Sequence, residues 1–129
     1  MSLLEISQSQ ELPTAYLEQI FIKLKAAKLV ESTRGAMGGY LLARSPSRIR
    51  ISDIIYAVEK PTRTTRCDVK TEKGCHSNGM RCITHVLWEE LGHVIHAYFS
   101  GISLQDVITG NIKESLSSSP FTREVFHVL

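Results

Sequence analysis

The residues best equipped for chemistry stand in one stretch, Cys67-x7-Cys75-x6-Cys82-x2-His85. It holds all three cysteines of the 129-residue chain and sets an imidazole three residues after the last thiol. Three thiolates and one imidazole close a tetrahedral shell, which suits either zinc or one edge of an iron-sulfur cluster. Structural cysteines would instead fall at periodic core positions, whereas Cys67 and Cys75 lie in a polar segment with no apolar period. A nucleophilic pair of Cys82 and His85 has no recognisable oxyanion element or orienting third residue in the sequence, so we do not expect an enzyme. His76, next to Cys75, is the spare ligand. His93 and His96 stand three apart, a spacing a metal can use, but read more simply as surface histidines.

Such ligands need a frame to hold them. With 43% hydrophobic residues and a mean hydropathy of -0.04, the chain has material for one core plus an appendage. No run reaches the roughly 18 consecutive apolar residues of a membrane span, and the N-terminus lacks the basic-then-apolar order of a signal peptide. The expectation is a cytoplasmic protein without a membrane partner, in which three cysteines do not make a disulfide framework. Charge is unevenly spread. Residues 23 to 50 carry Lys23, Lys25, Lys28, Arg34, Arg44, Arg48 and Arg50 against Glu31 alone, while from residue 67 onward five basic residues face seven acidic ones. The first half could meet a polyanion such as DNA; a solvated basic face is the plainer alternative.

The elements follow from local signals. Ser2-Leu-Leu-Glu5 has capping-box form, predicting a helix over about 2–9. After the polar turn Gln8–Glu11, Leu12-Pro13 opens a second helix to about residue 28, with Leu17, Ile20, Phe21 and Leu24 at helical spacing. Two short helices joined by a short turn form a helix-turn-helix. Leu29–Thr33 and Tyr40–Arg44 read as strands around Arg34-Gly-Ala-Met-Gly-Gly39, whose glycines permit a hairpin loop. By itself this is only a turn; directly after a helix-turn-helix, inside the basic cluster, it reads as a wing. Ser52 is the expected cap of a helix carrying Ile54, Ile55 and Val58, and Lys60-Pro61 ends it. Residues 62–83 form a polar, aperiodic ligand loop. From a cap at Thr84, the stripe Val86, Leu87, Leu91, Val94 or Ile95, Tyr98 and Phe99 defines a long helix that we expect to pair with a second copy of itself. Ser103 caps, and Gly110 stops, one more short helix. The domains are thus 1–61, a winged helix-turn-helix; 62–83, the ligand loop; 84–110, the dimerisation helix and a short packing helix; and 111–129, a disordered tail. The fold class is mainly α with a small β-hairpin wing.

Four motifs in one order, Tyr16-Leu-Glu-Gln-Ile-Phe21, Arg34-Gly-x-x-Gly-Gly-Tyr40-x-Leu42, Ile54-Ile-x-Ala-Val-Glu59 and Cys82-x-Thr-His85-x-Leu-Trp88, give a chain that resembles the IscR/NsrR-type winged-helix iron-sulfur regulators, and most closely the IscR branch. Ser100-Gly-Ile-Ser-Leu104 also fits, so the resemblance covers residues 2 to about 110. It implies a transcription regulator, acting as a homodimer on a double-stranded DNA operator and controlling iron-sulfur assembly genes, with assembly proteins as cluster donors. It also implies that Cys67, Cys75, Cys82 and His85 hold a [2Fe-2S] cluster. His85 departs from the nitric-oxide-sensing branch and its [4Fe-4S] cluster, and zinc in the same shell is the other alternative. A cluster carrier or electron-transfer module is the alternative of another class. On DNA, the second helix would be the recognition helix, with Thr14, Ala15, Glu18 and Gln19 toward base edges. Glu18 aligns with the glutamate that in IscR-type regulators discriminates between operator classes, unless it only pairs with Lys23 or Lys25. Lys23, Arg34, Gly35 and Gly38 complete the expected DNA set, Arg34 as the minor-groove or phosphate contact. In that family a further helix precedes the element on which Met1 opens, so Leu3, Leu4, Ile20 and Phe21 are expected to be incompletely covered.

Overall fold

The computed structural model describes residues 1–35, 38–59, 76 and 78–117, without the side chains of 115–117. Helix α1 (Leu3–Gln10) is started by the expected capping box, in which the Ser2 hydroxyl accepts the Glu5 N–H and the Glu5 carboxylate accepts the Ser2 N–H. It ends at Glu11 in the left-handed region, where the Glu11 and Leu12 N–H groups both reach the Ser7 carbonyl. That reversal fixes the entry of α2 (Thr14–Ala26), and Ser7 Oγ, donating to the Leu12 carbonyl and accepting from Thr14 Oγ1, ties the corner. Helix α2 stops through a second left-handed residue, Lys28, with Leu29 N–H returning to the Leu24 carbonyl.

This stop turns the chain directly into strand β1 (Val30–Thr33), paired antiparallel with β2 (Gly39–Leu42) in the register Val30 with Leu42 and Thr33 with Gly39. The Thr33 hydroxyl closes the open end by bonding both the N–H and the carbonyl of Gly39. Gly39 cannot carry a side chain, because a Cβ there would run into the Met1 carbonyl, which accepts the Tyr40 N–H at 2.8 Å. Ala36 and Met37, at the hairpin tip, lie outside the described residues.

A short 3-10 turn (Pro46–Arg48) leads into α3 (Ile51–Val58), and α4 (His85–Ser100), α5 (Leu104–Thr109) and α6 (Ile112–Ser117) follow. The core sits where these meet: Leu17 of α2, Leu29, Val30, Ile49 and Ile102 are buried. Ile49 and Ile102 are brought together by a two-bond antiparallel bridge, Ile51 N–H to the Ile102 carbonyl and Leu104 N–H to the Ile49 carbonyl. The N-terminus of α3 and that of α5 are therefore locked side by side.

Three local expectations change. The cap of α3 is Arg50, with the Asp53 carboxylate accepting the Arg50 N–H at 3.0 Å. Ser52 is instead buried inside the first turn, because the bridge holds residues 49–51 extended and the helix must begin directly after it. Thr84 stands at the N-cap of α4 but makes no side-chain cap. The segment expected to be disordered from 111 contains α6, which continues from α5 after Gly110 in the left-handed region; residues 118–129 lie outside the described residues.

Candidate metal-ligand site and nucleic-acid interface

The ligand stretch is seen at its C-terminal end. Cys82 and His85 share one turn, closed by the His85 N–H donated to the Cys82 carbonyl at 3.0 Å, and that turn becomes the first turn of α4. His85 is 5% exposed, with Nε2 at 4.0 Å from a carboxylate oxygen of Glu89 one helical turn on. Cys82 is half-buried, and its sulfur lies 3.6 Å from the Thr84 hydroxyl, which accepts Trp88 Nε1–H at 3.2 Å. A polar group lies near each donor: the Glu89 carboxylate at 4.0 Å from the imidazole, outside hydrogen-bond distance, and the Thr84 hydroxyl against the sulfur. The donor set fits a thiolate-plus-imidazole centre. Cys67 and Cys75, expected as the other two ligands, lie outside the described residues, as does most of the 62–83 loop.

The spare histidines are placed differently. His76 is exposed in a turn in which its N–H meets the Met80 carbonyl. His93 stands 4.0 Å from Glu90, and His96 lies edge-on to the Tyr56 ring at 5.2 Å, binding α4 to α3. Among the described residues, no three His, Cys, Asp or Glu side chains gather around one point.

On α2, Thr14, Ala15, Glu18 and Gln19 are all exposed. Their spacing puts them on one face with Ile22, which is also exposed and was not singled out by the sequence. The hairpin is docked beside this helix: Lys25 Nζ donates to Ser32 Oγ of β1 at 2.7 Å, and the Phe21 ring packs tilted against Tyr40 of β2, centroids 4.6 Å apart. Lys25, Lys28, Glu31 and Ser32 line a shallow groove between the two. Arg34 and Gly35 are exposed where the hairpin leaves β1; Gly35 has φ +132°, and its carbonyl accepts the Gly38 N–H at 2.9 Å. Lys23 points elsewhere, its ammonium donating to the Val58 carbonyl at the end of α3 at 2.9 Å. Among the described residues, no ion pair joins Glu18 to Lys23 or Lys25, whose ammonium groups reach Val58 and Ser32.

A helix-turn-helix followed by a hairpin wing is shared with known proteins. The profile of the Rrf2 family, described as an iron-dependent transcriptional regulator, matches residues 1–110. The chain belongs to the Rrf2 family. It is 41% identical over 106 residues to the HTH-type transcriptional regulator IscR of Photorhabdus laumondii, covering 82% of this chain and 63% of that one. To IscR of Aliivibrio salmonicida it is 40% identical over 115 residues, 89% of this chain and 67% of that one. Among solved structures, T. potens IscR superposes with a TM-score of 0.66 at 32% identity, over 86% of this chain and 70% of that one. The chain spans about two thirds of the length of the curated Rrf2 relatives it matches, and just under that of the Photorhabdus protein. The expected winged-helix class and the IscR-type resemblance both hold for this Rrf2 chain. No helix among the described residues is long and apolar enough to cross a membrane.

Proposed function

We propose that this chain is a DNA-binding transcription regulator whose affinity is tuned by an iron-sulfur cluster. The observation that carries the DNA-binding part is the docking of the Arg34 hairpin against α2 through Lys25 and Ser32, which presents the Thr14-to-Gln19 face and the wing as one surface. A recognition helix with its N-terminal residues toward base edges and an adjoining basic wing on the backbone is a familiar reading geometry. Arg34 contacts phosphate or the minor groove, and Thr14, Ala15, Glu18 and Gln19 contact bases. Gly35 and Gly38 let the wing approach closely, and Glu18 accepts from cytosine N4 while repelling nearby phosphates.

The ligand set is Cys67, Cys75, Cys82 and His85, which suits a [2Fe-2S] cluster. Such a centre, when bound, supplies one-electron redox chemistry, and an imidazole in place of one thiolate removes a negative charge and raises its potential. His85 stands in the first turn of α4, buried, with the Glu89 carboxylate one helical turn on. Ile83, Val86, Leu87 and Leu91 leave an apolar surface on and just before α4, and we assign it to a second copy of the chain. A change in ligation at Cys82 and His85 would then be felt at the dimer axis, altering the spacing of the two recognition helices.

The test is selection of a duplex site from a random pool, followed by binding of wild type and Arg34→Ala at two salt concentrations. Site-specific binding that weakens in Arg34→Ala, with a shallower salt dependence, is expected. No sequence-selective binding by either protein would favour a cluster carrier.

A further inference from the structure

Thr84 holds the N-cap position of α4, yet its hydroxyl accepts no backbone N–H of the first turn, the usual use of threonine there. The hydroxyl is engaged elsewhere: Oγ1 accepts Trp88 Nε1–H at 3.2 Å and lies 3.6 Å from Cys82 Sγ. The direction of both bonds is fixed by chemistry. An indole N–H can only donate, and a ligating thiolate has no proton and can only accept. With Cys82 a ligating thiolate, the Thr84 proton points at sulfur, and the three residues form one directed chain from Trp88 N–H through Thr84 O–H to Cys82 S.

We propose that Thr84 and Trp88 are positioning residues that set the reduction potential at the Cys82 ligand. This rests on the reading of Cys82 as a cluster ligand. A hydrogen bond to a ligating sulfur favours the form with more negative charge on it, and so eases addition of one electron. Accepting from Trp88 polarises the Thr84 O–H and strengthens that donation. Reduction makes and breaks no bond here; one electron enters from the electrode, and the Thr84 proton stays on its oxygen. Thr84 is exposed, so water partly replaces a lost hydroxyl and the effect is moderate.

The experiment uses the full chain, reconstituted anaerobically with ferrous iron and sulfide, and two readouts. In the first, mediated electrochemistry compares wild type, T84V, T84S and W88F. T84V is expected to shift the reduction equilibrium about threefold toward the oxidised form, about 28 mV more negative for a one-electron couple in which tenfold is 59 mV. W88F should move the same way by less, and T84S should match wild type. The second readout needs no cluster. Trp88 is the one tryptophan of the chain, so its indole N–H gives a single proton-nitrogen cross-peak. That peak should move upfield in T84V and return in T84S. A coloured T84V protein with wild-type potential overturns the proposal, and so does an indole peak indifferent to T84V. A wild type that stays colourless after reconstitution overturns the cluster reading and this inference with it, a failure distinguishable from loss of the effect on a coloured protein.

Discussion

Lys23 separates two accounts of the basic surface. In the sequence it belongs with the residues expected on DNA; in the structure its ammonium holds the Val58 carbonyl at 2.9 Å. Val58 is the last residue of α3, so its carbonyl has no partner within the helix, and a cation there also meets the negative end of the helix dipole. An exposed contact of this kind is worth about 0.3–1 kcal/mol. Lys23→Met keeps the aliphatic stem and removes only the charge. For a chain of this size the loss should lower the thermal midpoint by about 1–5 °C. Binding to a non-specific duplex supplies the second measurement, because each phosphate contact adds about 0.9 to the slope of log affinity against log salt. Lys23→Met should leave that slope unchanged while the midpoint falls. A slope smaller by about 0.9 with an unaltered midpoint would refute the tie to α3 and return Lys23 to the phosphate contacts.

Three further outcomes follow from the elements that position the site. Ser103, buried at the cap of α5, accepts the Asp106 N–H and donates to its carboxylate; Ser103→Ala should cost about 1–2 kcal/mol in urea unfolding, through a lost cap beside the Ile49–Ile102 bridge. The Ser2 backbone N–H, and then its hydroxyl, hold the Glu5 pKa below its ordinary 4.5. This part of the stability of α1 is present above that value and is lost as the pH falls through the folded-state pKa. The protection of α1 amides, taken relative to their intrinsic exchange rates at each pH, should therefore fall between neutral and acid pH in wild type and change less in Glu5→Gln. Lys28 sits at φ +57°, where a Cβ is strained, so Lys28→Gly should be more stable than Lys28→Ala by about 1 kcal/mol, both having lost the same charge.

Much of the frame was legible because its signals are local. The boxes at Ser2–Glu5 and Ser103–Asp106, the stop at Gly110 and the glycine-rich hairpin each lie within a few residues, and each forms as the sequence implies. What escaped depends on partners distant in sequence. Ser52 was the natural cap by type, but the pairing of residues 49–51 with 102–104 decides where α3 begins. Lys23 and Val58 meet across 35 residues, and no spacing rule links them. The position of Thr84 was readable while its partners were not, since a threonine at an N-cap ordinarily turns its hydroxyl to the helix. Ile22 was not singled out, because it lies off the stripe Leu17, Ile20, Phe21 and Leu24 and an apolar side chain carries no signal for a base-facing surface.

The central claim is a cluster held by three thiolates and His85, and anaerobic purification followed by a visible spectrum with iron and sulfide analysis tests it most directly. The account predicts a coloured protein with two irons and two sulfides per chain, and loss of colour in His85→Ala and Cys82→Ala. A colourless protein holding one zinc per chain would contradict it.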